Sequence, residues 1–226
     1  MNYFVTGTDT DVGKTLVSCA LLHGFAAQGK RVVGMKPVAA GCDEHDQNED
    51  VTQLRAASNV AVGKGQINPY CFFQAVAPHL AAQFVGIKIN FSRIIESFEE
   101  LDAQSDVVIV EGAGGFRVPL NTEQDSADLA EQLGLPIILV VGMRLGCLNH
   151  ALLTTEAIAS RGLMLAGWVA NVLDVNMSML NENIAALQQR IAAPLLGVVP
   201  HQPQPDACEV AACLNLQLLK QAAVHD

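Results

Sequence analysis

The segment Thr8-Asp9-Thr10-Asp11-Val12-Gly13-Lys14-Thr15 follows the short apolar run FVT at 4–6 and precedes LVSCALLHGFAAQG, whose apolar spacing suits an amphipathic helix. Strand, loop and helix in this order make a phosphate-binding loop. Backbone N–H groups and the helix N-terminus surround the phosphates, Lys14 reaches the β and γ oxygens, and the Thr15 hydroxyl binds Mg²⁺. The strict pattern would put a glycine at position 8; here Thr8 stands there and Gly7 lies one step early, so the loop is a variant. Glu111 ends DVVIVE and is followed by Gly112-Ala113-Gly114-Gly115, which sets a carboxylate at a strand's carboxyl end with a flexible loop behind it. With Thr15 it is the first candidate to hold Mg²⁺. Asp50, just before VTQLRAAS, is the second; taken alone it reads as a helix N-cap or a solvated charge. Lys36 closes the run VVGM, and Pro37 keeps that strand from continuing. It either joins Lys14 in stabilising charge on a transferred phosphoryl group or a bound acid, or it snorkels at a sheet edge.

These groups need a scaffold whose strands end at one crevice. Apolar runs at 4–6, 32–35, 106–111, 136–141, 165–172 and 195–199 alternate with helical stretches such as 14–27, 148–161 and 179–191. Several runs lack the alternation of a strand wetted on one face. They imply a doubly wound α/β fold, a mostly parallel sheet covered by helices on both faces, with ligands at the strands' carboxyl ends. GCDEHDQNED at 41–50 reads as a surface loop, and HQPQPDA at 201–207 separates the last strand from a C-terminal helix. One P-loop domain over 1–226 is the simplest division.

Of the 226 residues 50% are hydrophobic, enough for a sizeable core, and the formal net charge is −10. With no Lys/Arg cluster to neutralise phosphates, nucleic acid is not an expected partner. The opening MNYFVTGTDTD lacks a basic stretch and an apolar h-region, and LPIILVVGM is far short of a membrane span, so a soluble, cytoplasmic protein is expected. The six cysteines show no CxxC pair or Cys/His array and read as reduced thiols.

VTGTDTDVGKT, GMKPVAAG, VEGAGG, LVVGMRLGCLNHALLT, GWVANV and APLLGVVP, spread in this order from residue 5 to residue 200, together resemble the dethiobiotin synthetase family. The resemblance implies a cytoplasmic homodimer that converts 7,8-diaminononanoate, CO₂ and ATP into dethiobiotin, ADP and phosphate. It implies that Asp11, Val12, Gly13, Lys14, Thr15 and Leu16 surround the triphosphate, with Gly112, Ala113 and Gly114 beside them, and that Thr15, Asp50 and Glu111 hold Mg²⁺. Lys36 matches the family's active-site lysine, suited to holding a carbamate. Asn171 and Val172, then Pro200, His201 and Gln202, match the strips that meet the base; Val172 is apolar where the family often has a polar residue. Thr10, Lys36, Ala40 and the segment Gly146-Cys147-Leu148-Asn149 are assigned to the diamine, the last from the neighbouring subunit. Ala40 replaces a frequent serine and removes a hydroxyl donor, while Asn149 by itself would read as a helix cap. The alternative is an ATPase switch of the partition or septum-site type; those proteins carry a lysine six residues before the loop lysine, where this chain has Thr8.

Overall fold

The computed structural model describes residues 1–45 and 47–222. Its elements run β1 (Tyr3–Gly7), α1 (Lys14–Ala26), β2 (Val32–Met35), β3 (Val38–Ala40), α2 (Glu49–Ala57), α3 (Lys64–Ile67), β4 (Tyr70–Phe72), α4 (Pro78–Phe84), α5 (Phe91–Asp102), β5 (Val107–Glu111), α6 (Ser126–Leu133), β6 (Ile137–Met143), α7 (Cys147–Ser160), β7 (Leu165–Val172), α8 (Leu180–Gln188), β8 (Leu195–Val199), α9 (Ala207–Ala211) and α10 (Gln217–Ala222).

Six strands form one parallel sheet in the order β2-β5-β1-β6-β7-β8. They are the six apolar runs read from the sequence. Their continuity has a simple cause: each face is covered, so no position needs to be polar. Phe4, Met35, Val108 and Val110 pack with Ile94, Leu101 and Ala130 from α5 and α6 on one face. Tyr3, Val5, Ile109 and Val140 pack with Val17, Leu21 and Phe25 of α1 on the other. Leu139, Val141, Trp168 and Ala170 meet Cys147 and Ala151 of α7 and Ile184 and Leu187 of α8. α1 is unusual in being buried on almost every side, with Val17, Ser18, Cys19, Ala20, Leu21, Leu22 and Phe25 all enclosed. The strand order reverses at β1, so the phosphate loop leaves the sheet at a topological switch point.

Three expectations change. Residues 49 and 50 belong to α2 rather than to a loop over 41–50, because Asn48 caps that helix, its side chain accepting from the Val51 N–H at 3.4 Å. Asp50 is therefore a first-turn residue and not the N-cap. A second, two-stranded parallel sheet of β3 and β4 lies beside the main one; three-residue strands carry too little pattern to be read. Finally, Cys42 and Cys71 are joined in a disulfide, whereas Cys19, Cys147, Cys208 and Cys213 are free. The chain folds β3 and β4 together and brings to within reach two thiols 29 positions apart in sequence, a proximity that spacing alone does not display.

Candidate active site

The phosphate loop is shaped by close contacts. A Cβ on Gly7 would lie 2.6 Å from Val12 Cγ2 and 3.0 Å from the Asp9 carbonyl, so the glycine one step early is where the loop folds back upon its own strand. Asp11 and Gly13 have φ of 56° and 89°, the left-handed region, which turns the chain into α1. A Cβ on Gly13 would collide with the Asn171 side chain. Asn171, at the end of β7, donates through Nδ2 to the Val12 carbonyl at 2.9 Å, and Lys14 Nζ donates to the Asp9 carbonyl at 3.0 Å. Replacing Gly13 by alanine adds strain of roughly 1 kcal/mol or more at a positive φ and pushes Asn171 aside. At least a tenfold loss of affinity for a fluorescent ATP analogue is the expected outcome, with the melting temperature falling only slightly.

Four side chains converge at the head of α1. Lys36 Nζ donates to Glu111 Oε1 at 2.6 Å and to Asp50 Oδ2 at 2.8 Å, and the Thr15 hydroxyl donates to the same Glu111 Oε1 at 2.8 Å. Glu111 is fully enclosed, Lys36 nearly so, and Asp50 is partly open to solvent. Glu111 Oε2 is buried with no hydrogen-bond partner. An enclosed carboxylate oxygen without a donor is costly unless something else meets it, and a hard cation is the natural partner for such an oxygen.

The electrostatics follow from this packing. Burial lowers Lys36, but Glu111 and Asp50 outweigh it, so its pKa is raised and it stays an ammonium. Burial raises Asp50, yet Lys36 beside it leaves it lowered and ionised. Lys14 is pushed down to about 8, first by burial and then by the Lys36 charge. Cys19, beneath the site, is pushed up to about 12 by burial and by the Glu111 and Asp50 carboxylates, so it is no nucleophile.

The remaining assigned residues fall into three groups. Gly112 to Gly114 follow β5 and lie against the phosphate loop: the Gly112 N–H donates to the Val5 carbonyl at 2.9 Å, and a Cβ on Gly114 would sit 3.5 Å from Thr10 Oγ1. Asn171 pairs in register with Val199, so Val172 ends β7 and Pro200 directly follows the end of neighbouring β8; Pro200 and His201 are exposed, and Gln202 carries a buried, unpartnered Oε1. Ala40 ends β3, its carbonyl accepting from Asn48 Nδ2 at 3.3 Å. Gly146, with φ 95°, precedes α7; Cys147 is buried, Leu148 half-buried and Asn149 exposed. Gly146 is the N-cap residue, so Asn149 lies within the first turn of α7 and does not cap it, a correction to its reading as a lone asparagine.

Two positions were not foreseen. Asn68 is buried and donates to the Lys36 carbonyl at 2.6 Å, while the Lys36 N–H donates to the Ile67 carbonyl at 2.8 Å, fixing the lysine's backbone from both sides. Its partners are backbone atoms, so only a fold could reveal it. Arg144 donates to Asp9 Oδ2 at 2.6 Å and ties the β6–α7 turn to the phosphate loop. Its place directly after an apolar run was the available signal.

A parallel sheet with such a loop at its switch point defines a P-loop nucleotide-binding protein, and Lys36 and Glu111 at the ends of β2 and β5, with Asp50 from the first turn of α2, equip it for chemistry. Residues 1–208 match a family described as an AAA domain. The ATP-dependent dethiobiotin synthetase of Aromatoleum aromaticum is 58% identical over 217 residues, 95% of this chain and 96% of that protein. Those of Nitrosospira multiformis and Ralstonia nicotianae are 55% and 52% identical over 214 and 216 residues, with 94% of each covered. Among solved structures, the septum site-determining protein MinD with Mg-ADP from Pyrococcus horikoshii aligns over 98% of this chain and 95% of its own, with TM-score 0.55 and 16% identity. MinD from Aquifex aeolicus aligns over 98% and 94%, at 0.57 and 12%. The second likeness is one of fold. The chain belongs to the ATP-dependent dethiobiotin synthetase family, ligases of biotin biosynthesis, and the family match favours that reading over the septum-site switch.

Proposed function

We propose that this protein, a single P-loop domain, makes dethiobiotin from 7,8-diaminononanoate, CO₂ and ATP. CO₂ adds to one amine to give a carbamate, a carbamate oxygen attacks the γ-phosphate with release of ADP, and the second amine displaces phosphate from the mixed anhydride, closing the cyclic urea. The observation that carries this reading is the Lys36 ammonium held against Glu111 and Asp50 beside Thr15, at the head of the phosphate-loop helix.

Each part of the chain has its task. Lys14 and the N–H groups of Asp11 to Leu16 hold the triphosphate, since the first turn of α1 has donors without intrahelical partners. Lys36 holds the carbamate next to the γ-phosphate. Thr15, Asp50 and Glu111 would hold Mg²⁺; the donor set fits, being all oxygen, few in number and including the enclosed, unpartnered Oε2 of Glu111. When bound, the ion neutralises charge on the β and γ phosphates. Asn171, Val172 and Pro200 to Gln202 meet the base, while Thr10, Ala40 and a partner's Gly146 to Asn149 meet the diamine. No covalent nucleophile is needed: positioning and charge neutralisation suffice.

The homodimer has a physical basis. Leu145, just before α7, and Leu153, midway along it, are 96% and 58% exposed, and Phe73, Leu80 and Phe84 are exposed around α4. Apolar side chains of this size gathered on two faces are expected to be covered. Substituting Leu153 by arginine should shift the protein towards monomer in sedimentation and raise KM for the diamine more than KM for ATP; an unchanged dimer would remove α7 from the interface. Among the described residues no helix is long and apolar enough to cross a membrane.

The deciding experiment incubates purified protein with 7,8-diaminononanoate, bicarbonate, Mg²⁺ and ATP. Dethiobiotin detected by mass, with ADP in equal amount, is the expected result. ATP turnover without dethiobiotin would reject the reading and leave the switch.

A further inference from the structure

Lys36 does more than wait at the end of β2. Its ammonium lies between Asp50 Oδ2 and Glu111 Oε1, at 2.8 and 2.6 Å, and Glu111 Oε1 also accepts the Thr15 hydroxyl. These are the carboxylates assigned to Mg²⁺, so one cation already neutralises the groups that another requires. Glu111 Oε1 already accepts two hydrogen bonds, from Lys36 and Thr15, and an ammonium held 2.6 and 2.8 Å from the two carboxylates repels a divalent ion seeking them across a few ångströms. The pair cannot simply be left bare either, since two carboxylates this close, one fully buried, destabilise the fold without a counter-charge. Glu111 Oε2, enclosed and without a donor, remains as a landing point for an incoming cation.

The geometry points to a cation exchange: Lys36 is the built-in counter-ion of Asp50 and Glu111, and arrival of the divalent metal displaces its ammonium towards the substrate. Metal loading and deployment of the lysine are then a single event. This rests on the metal and lysine roles proposed above, and adds to them a sign that neither predicts. A lysine that only holds the carbamate leaves metal affinity unaffected when it is removed. A lysine that competes for the metal's oxygens weakens metal binding, and its removal strengthens it.

The test uses Mn²⁺ alone, without nucleotide, followed by the electron paramagnetic resonance signal of the free ion. Lys36→Met should bind Mn²⁺ at least tenfold more tightly than the wild type, and the gain should vanish in the Lys36→Met/Glu111→Gln double variant. In the wild type, reductive methylation of Lys36 read by mass spectrometry should be slow without metal and severalfold faster at saturating Mn²⁺, a measurement that does not depend on the variant folding. Equal or weaker Mn²⁺ binding by Lys36→Met, or labelling of Lys36 unchanged by Mn²⁺, overturns the exchange. If the wild type then still makes dethiobiotin with Mg²⁺, the proposed function stands and only the exchange is lost. Absence of dethiobiotin in the wild type removes the reading beneath it.

Discussion

Lys36→Ala is expected to lose dethiobiotin formation by about a thousandfold while binding an ATP analogue within about threefold of the wild type. The size follows from what one preorganised cation or donor contributes when charge develops in a water-excluded site, about 10²–10³, raised here because the same group holds the reacting carbamate. The selectivity follows from geometry. The triphosphate is assigned to Lys14 and the loop from Asp11 to Leu16, whose shape is set by Asn171 on Val12 and by Lys14 on Asp9. None of these contacts involves Lys36. Its charge does reach Lys14, where it helps to depress the pKa, so removing it favours the protonated form of Lys14 and works against any loss of nucleotide binding. Product measured by mass, alongside nucleotide titration by fluorescence, separates the two effects. Turnover near the wild-type rate would take Lys36 out of the reaction.

Glu111→Gln should lower kcat by about 10²–10³ and raise the Mg²⁺ concentration needed for half-maximal rate. The amide keeps an oxygen for Thr15 and Lys36 but forfeits the negative charge that a hard cation seeks. It also leaves an enclosed ammonium with Asp50 as its remaining carboxylate partner among the described residues. A lower melting temperature is therefore expected, reflecting part of the roughly 3–5 kcal/mol that breaking a buried pair costs. Titrating Mg²⁺ at fixed ATP checks the assignment: an unaltered metal requirement would exclude Glu111 from the site.

The main sheet was legible because burial on both faces leaves its mark as uninterrupted apolar residues, and all six runs became strands. Helix α5 carries its own signal, with Phe91, Ile94, Phe98 and Leu101 buried at helical spacing. The geometry of the site was partly legible. Lys36 and Glu111 could be placed at carboxyl ends of strands, and the order β2-β5-β1 makes those ends neighbours of the phosphate loop. Asp50 was harder, for it reaches Lys36 from a helix whose start depends on Asn48, a residue that reads as one more polar member of an acidic loop. Asn68 and the Cys42–Cys71 link depend on long-range folding of the small β3–β4 sheet, for which local periodicity gives no sign.

The near-complete enclosure of α1 decides where this protein can yield. A helix wedged among β1, β2, β5, α2 and α9 cannot tilt without opening the core on its face of the sheet, so a nucleotide landing at its tip meets an anvil. Whatever adjustment the ligand demands must be absorbed by the segments beside that tip, residues 47–48 before α2 and 112–118 after β5. Amide exchange should accordingly be slowest in α1 and nearly indifferent to ATP, with the slowing on binding confined to those two spans.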